Sequence, residues 1–238
     1  MRVTPYRSRW LPAKATWFGS PNGAGTDGGA CGFGNAVSQP PYSSMVSAAG
    51  PSLFRSGMAC GACYKVRCTS DQSCSGRPIR VVIMDSCPGG PCATDSAHFD
   101  LSGTAFGALA LPSRADILRG KGVLDIKYAR IPCNYGRRKV AFHVDMGSNP
   151  YYFAVVTEFE GGDGDLASVE LKDSSTRRWM HMQQSWGAVW MLSPGYPLNP
   201  PFSIRLKTLY SGATLAAKDV IPRGWSAGAT YRSTVNFI

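Results

Sequence analysis

The chain has 238 residues, enough for one or two domains with a substantial core. Only 17% of residues are charged, 44% are hydrophobic, and 25 Lys+Arg against 15 Asp+Glu give a net charge of +10. This excludes a disordered chain, and 27 Gly with 17 Pro exclude a long coiled coil. No run of about 18 apolar residues could span a membrane. A basic, loop-rich, β-dominated protein remains.

Residues 1–14 carry Arg2, Arg7, Arg9 and Lys14 but no apolar stretch of the kind a secretory leader needs, and they read as an N-terminal extension. Residues 15–63 are rich in Gly, Ser and Pro, with short apolar runs such as Ala15-Thr16-Trp17-Phe18. Residues 77–85 are a strand on β-branched Ile79, Val81, Val82 and Ile83, ending in Asp85. Cys87-Pro88-Gly89-Gly90-Pro91-Cys92 is a tight turn that a disulfide can close. Residues 102–110 are the best short helix, with Ser102 as N-cap. In residues 122–130, Val123, Asp125 and Lys127 alternate with Leu124, Ile126 and Tyr128, a half-buried strand.

Residues 135–139 read as a linker. Beyond it come short strands: Val140–Val144, Tyr151–Phe159, Leu166–Lys172, Trp186–Leu192, Phe202–Thr208, Thr214–Lys218 and Tyr231–Ile238. Turn signals such as Gly161-Gly162-Asp163-Gly164-Asp165 separate them, the pattern of a β-sandwich over 140–238. All eight cysteines lie within the first 133 residues, which argues for two modules, 15–134 and 140–238. Their even number points to disulfides and an oxidising compartment. Zinc is the rival: Cys60 and Cys63 have ligand-like spacing, but Cys68 and Cys74 stand too far apart. Eight cysteines allow 105 pairings, so spacing leaves the connectivity open.

The first module has seven aspartates and no glutamate. Inverting cleavage of a glycosidic bond needs a general acid and a general base about 6.5–9.5 Å apart. Asp85 at a strand end and Asp100 in His98-Phe99-Asp100 are placed to face a cleft; capping of turns is the alternative role for both. Asp27 is explained equally well by an Asp-Gly turn. With three histidines and no G-x-S-x-G elbow, nucleophilic triad chemistry finds no support, and the glycines match neither nucleotide-binding fingerprint. Among the aromatics, Trp17, Phe18, Tyr151, Tyr152, Trp186 and Trp190 lie near turns or alternate within strands. Such flat rings stack on sugars; in one strand Trp186 and Trp190 share a face, and both could equally be core.

The runs Ala15-Thr16-Trp17-Phe18-Gly19, Pro21-Asn22-Gly23-Ala24-Gly25 and Gly28-Gly29-Ala30-Cys31-Gly32 resemble plant β-expansins. So do Cys60 to Cys68, His98-Phe99-Asp100-Leu101-Ser102-Gly103, Ser185-Trp186-Gly187-Ala188 and Pro201-Phe202-Ser203-Ile204-Arg205. Grass-pollen group-1 allergens share this family; without their long Pro-rich extension, the chain is more similar to a vegetative member. The resemblance implies an all-β protein, a six-stranded double-psi β-barrel followed by an immunoglobulin-like β-sandwich. The barrel would resemble family 45 glycoside hydrolases, and the sandwich would bind carbohydrate. The implied disulfides are Cys31–Cys60, Cys63–Cys133 and Cys68–Cys74, with Cys87–Cys92 added from spacing.

The same resemblance implies a groove lined by Thr16, Asp27, Asp85 and Asp100. Asp100 matches the hydrolase's general acid, and the base has no counterpart. Trp17, Phe18, Asp27, Asp85, His98, Asp100, Tyr152 and Trp186 form the expected polysaccharide-binding set, Trp190 and Tyr151 being left as structural. Phe18 replaces the family's usual tyrosine, keeping a stacking surface and losing a hydroxyl. The implied function is non-enzymatic loosening of the plant cell wall by a secreted protein that disrupts glycan–glycan contacts. No cofactor, metal, nucleic acid or partner subunit is called for. The implied partners are glucuronoarabinoxylan or other matrix glycans, with cellulose a further candidate. The rivals are a weak endoglucanase or xylanase using Asp100 as acid, and a purely carbohydrate-binding or defence protein. Residues up to Asn134 hold 14 Lys+Arg and 7 acids, so most of the +10 lies on the first module.

Overall fold

Six strands of the first half close on themselves: β1 (Leu11–Phe18), β2 (Val46–Ala49), β3 (Cys63–Cys68), β4 (Ile79–Ser86), β5 (His98–Ser102) and β6 (Leu124–Arg130). Their order around the barrel is β1-β5-β2-β4-β3-β6 in this computed structural model, which describes residues 9–27, 29–176 and 178–237. β1 with β5 and β2 with β4 are parallel, and the other pairs are antiparallel. Closure leaves no strand edge to be protected. The two-residue period of a strand sends Ala13 and Ala15 of β1, Phe99 and Leu101 of β5, and Leu124 and Ile126 of β6 into one core. The alanines leave room for Phe99 and Leu101 on the neighbouring strand, in register with Ala15 and Trp17.

β1 begins at Leu11, within the stretch expected to be an extension. Leu11–Ala15 pairs with β6, and Lys14 meets Asp125 at 2.8 Å. Pro12 and two alanines give this strand none of the β-branched pattern by which strands are read from sequence. The short helix expected at 102–110 covers Gly103–Gly107, and Ser102 Oγ accepts the Ala105 amide as N-cap. Disulfides join Cys31–Cys60, Cys68–Cys74 and Cys87–Cys92; Cys63 and Cys133 are disulfide-bonded too, so no thiol is free.

The chain divides between Pro132 and Cys133. The second unit contains β7 (Ala141–Val144), β8 (Phe153–Glu158), β9 (Leu166–Lys172), β10 (Met180–His181), β11 (Gln183–Trp186), β12 (Val189–Leu192), β13 (Phe202–Thr208), β14 (Thr214–Ile221) and β15 (Thr230–Arg232). They form two antiparallel sheets, β10-β9-β13-β14 and β11-β12-β8-β7-β15. Phe142, Phe153, Val155 and Trp190 of one sheet meet Val169, Leu171, Phe202 and Ile204 of the other. Phe153 packs edge-on to Phe202 and to Trp225, with centroids 5.1 and 5.4 Å apart. This is a sandwich core with alternating inward residues.

Candidate functional site

The parallel register of β1 and β5 sets Lys14 opposite His98, Thr16 opposite Asp100 and Phe18 opposite Ser102. With Ala13, Ala15, Phe99 and Leu101 inward, Thr16, His98 and Asp100 share the outer face. Thr16 Oγ1 donates to Asp100 Oδ1 at 2.6 Å and lies 2.8 Å from His98 Nε2. His98 Nδ1 lies 2.7 Å from Asp95 Oδ2. Burial pushes the Asp100 carboxyl above its ordinary range, and the charge of Asp85 adds to this, against the Thr16 hydrogen bond and the His98 charge.

Asp85 reaches the same face through an irregularity. In the β2–β4 pairing Ser47 faces Ile83 but Ala48 faces Asp85, so Met84 is an extra residue. Such a bulge re-aims the side chain that follows. Ala48 also faces Asp100 across the β2–β5 pair, so a buried alanine forms the floor between two aspartates. Their backbones are two strand spacings apart, about 9–10 Å. Asp85 Oδ1 accepts the Ala30 amide at 2.6 Å and the Ser86 amide at 2.7 Å. The Cys87–Cys92 disulfide borders Asp100, with the sulfurs and a carboxylate oxygen within 4.8 Å of one another. Oxidised sulfur offers no thiolate, so this cluster does not suit a metal.

The structure brings Thr16, Asp85 and Asp100 together and places the other expected residues as follows. Asp27 is exposed in its loop. His98 is fully buried with both ring nitrogens engaged, so it cannot touch a polysaccharide directly, contrary to the sequence expectation. The cover is local: Gly50 lies against His98 Cβ and the Cys92 carbonyl. Phe18, on the Thr16 side, lies over Gly25, where any Cβ would run into its ring. Trp17 leaves the strand on the opposite side. It is half-buried against Phe106 at 6.5 Å, with its Nε1–H donating to the Arg119 carbonyl at 3.2 Å. Asp95, which pattern reading passed over, fixes the His98 ring; its only signal in the sequence is a carboxylate three residues before a histidine.

In the second unit Trp186 and Trp190 do not share a face. Gly187, with φ of 50°, turns the expected single strand into a hairpin, pairing Gln184 with Trp190 and Trp186 with Val189 across a bulge. Trp190 is buried in the core, as the structural reading held, while Trp186 is 49% exposed. Tyr152 shares strand parity with Ala154 and Val156, opposite to core residues Phe153 and Val155. Val189, the partner of Trp186, is likewise opposite to Trp190. Both rings therefore lie on the outer face of the five-stranded sheet. Strand spacing and rise put their Cα atoms roughly 16 Å apart. Tyr151, left out of the binding set, is exposed as well.

Two family descriptions match, "Expansin C-terminal domain" over residues 140–222 and "Lytic transglycolase", a double-psi barrel family, over residues 46–128. Expansin-B11 of Oryza sativa subsp. japonica is 52% identical over 230 residues, 96% of this chain and 78% of that protein. The chain belongs to the expansin-B family. Expansin-B3 of Arabidopsis thaliana is 48% identical, over 97% of this expansin and 86% of the relative. Two solved structures of the Clavibacter michiganensis expansin, the apo form and a mutant in complex with cellohexaose, superpose with TM-scores of 0.71. At 21% identity, over 97% of this chain and 98% of theirs, they share its fold. The barrel-family match takes in Asp85, His98 and Asp100 and leaves out Thr16, which β1 supplies.

Proposed function

We propose that this β-expansin is a secreted, non-hydrolytic loosening protein of the plant cell wall. One observation carries the reading: the carboxylates that the structure gathers around Thr16 and His98 each have one oxygen fixed by the protein. Asp100 is held by Thr16, Asp85 by the Ala30 and Ser86 amides, and Asp95 by His98. An inverting hydrolase needs a base free to activate a water. A groove of anchored hydrogen-bonding groups can hold a glycan without that step. In the sandwich, the exposed ring of Trp186 and the half-buried ring of Tyr152 lie on one sheet face, suited to stacking on sugars. Weak contacts between wall glycans are then exchanged for contacts to the protein, and no covalent bond breaks. The net charge of +10 favours acidic matrix glycans such as glucuronoarabinoxylan.

The second reading is a weak polysaccharide hydrolase. It is favoured by the raised Asp100 carboxyl, which suits a general acid. The test is a sensitive assay of new reducing ends on arabinoxylan and on amorphous cellulose, run beside binding. Saturable binding without turnover supports the proposal. Sustained turnover that Asp100→Asn abolishes overturns it.

A further inference from the structure

Four side chains form one uninterrupted line. Asp95 Oδ2 is 2.7 Å from His98 Nδ1, His98 Nε2 is 2.8 Å from Thr16 Oγ1, and Thr16 Oγ1 is 2.6 Å from Asp100 Oδ1. The middle of the line is dry, because His98 is fully buried. Both ends, Asp95 and Asp100, are partly exposed, and Asp100 is the one beside Asp85. A hydroxyl has a single proton and an ionised carboxylate only accepts, so with the Thr16 proton kept within the line donor counting leaves two arrangements with Nδ1–H donating to an ionised Asp95.

In the first arrangement Asp100 is a carboxylate accepting from the Thr16 hydroxyl, and His98 is an imidazolium whose Nε2–H donates to Thr16 Oγ1. In the second, Asp100 Oδ1 carries a proton and donates it to Thr16 Oγ1, the Thr16 hydroxyl donates to Nε2, and His98 is neutral. Both contain the same number of protons and the same net charge. They differ by one concerted shift. The Asp100 proton passes to Thr16 Oγ1 as the Thr16 proton passes to His98 Nε2, and the bond electrons stay on the oxygens.

We propose that Asp95, His98 and Thr16 form an internal proton relay that sets whether Asp100 meets the glycan as carboxyl or as carboxylate, with no proton exchanged with solvent. This rests on the reading of the groove as a glycan site and names residues that act there without touching the glycan. Asp95 and His98 are positioning residues. A sugar hydroxyl donating to the outer oxygen, Oδ2, binds a carboxylate about twice as strongly as a neutral acceptor. Binding at Oδ2 therefore draws the Oδ1 proton inward to His98, and by linkage a protonated His98 favours that contact.

The groups facing the line are few. Asp85 stands across Ala48 from Asp100 and opposes its ionisation. Lys14 is in register with His98, lies close enough to feel the charge of Asp95, and is ion-paired to Asp125. The neighbouring Cys87–Cys92 disulfide does not titrate. Burial favours the protonated form of Asp100, and the imidazolium form of His98 opposes it, so neither arrangement is excluded by the surroundings.

The test is a pH titration of the glycan-free chain by NMR, reading the ring nitrogens of His98 and the carboxyl carbon of Asp100. His98→Gln and Asp100→Asn give the assignments. In the wild type both signals report the loss of one shared proton and move with a common midpoint. In Thr16→Val the hydroxyl is gone and the midpoints separate by about one unit or more. Thr16→Ser restores the common midpoint, which a purely packing role of Thr16 would not require. Asp95→Asn removes the carboxylate that accepts Nδ1–H and so disfavours the first arrangement, which moves the His98 ring signals away from their wild-type positions; this variant also serves if Thr16→Val does not fold. Separate midpoints in the wild type, or signals that neither Thr16→Val nor Asp95→Asn moves, overturn the proposal. No glycan enters this experiment, so its failure leaves the proposed function standing, and the reducing-end assay can fail without touching it.

Discussion

Trp186→Ala and Trp190→Ala separate binding from folding within a single hairpin. Trp186 is 49% exposed on the outer sheet face, and Trp190, on the partner strand, is 5% exposed and lies in the sandwich core. Removing an aromatic stacking platform costs about 1–3 kcal/mol per ring, by analogy with base stacking, which weakens binding by roughly 5- to 150-fold. Removing a surface side chain leaves stability within about 0.5 kcal/mol. Emptying a buried tryptophan site costs about 3–5 kcal/mol, which lowers the melting temperature of a unit this size by more than about 10 °C. The assay is a depletion isotherm on isolated plant wall, paired with a thermal melt of each variant. The expected result is weakened binding with an unchanged melt for Trp186→Ala, and a lowered melt for Trp190→Ala. Unchanged affinity for Trp186→Ala, or a melt that falls as far as that of Trp190→Ala, refutes the assignment of Trp186 to a binding face.

Stability should fall as pH rises. Burial, with the neighbouring Glu158 and Asp165, holds the Glu160 carboxyl well above the usual range, so the folded state keeps a proton the unfolded chain releases. That contribution is complete below the unfolded value of about 4.3 and is lost as pH rises through the folded value. Glu160→Gln is expected to flatten the melting profile as pH rises above about 4; the same slope in both proteins contradicts this. Gly103→Ala sets a methyl inside contact distance of the Ser20 carbonyl oxygen and 2.7 Å from that of Pro21, both backbone atoms. A loss of about 1–3 kcal/mol in denaturant unfolding is expected, and an unchanged midpoint would contradict the close approach. Binding to glucuronoarabinoxylan should weaken markedly between about 50 and 300 mM salt while binding to neutral cellulose changes less; equal salt dependence removes the charge argument.

Strands with clean alternation were readable in advance. Leu124, Ile126 and their exposed partners in β6 behave as the pattern demands, and so do Phe142 and Val144 in β7. The cysteine asymmetry suggested two modules, and the structure divides between Pro132 and Cys133, with Cys133 itself in the second unit. β1 and β2 were hidden because small residues, Ala13 and Ala15 in β1 and Ser47 and Ala49 in β2, fill inward positions and carry little strand signal. The His98-Phe99-Asp100 spacing does put His98 and Asp100 on one face. Whether that face is open to solvent is decided by Gly50, which lies against His98 from far away in the sequence. The exposure of Trp186 was hidden for a related reason. Gly187 breaks the strand, and period-two reasoning carried across a turn assigns the wrong face. Asp85 needed the extra residue at Met84, and a bulge leaves no mark in the residue pattern.

The measurement that bears most directly on the account is creep of isolated, heat-inactivated wall strips held under constant load, with the released and residual glycans sized from the same strip. The account predicts extension that begins on adding the chain, with no new reducing ends and no fall in glycan length. Extension that proceeds only in step with glycan cleavage would contradict it.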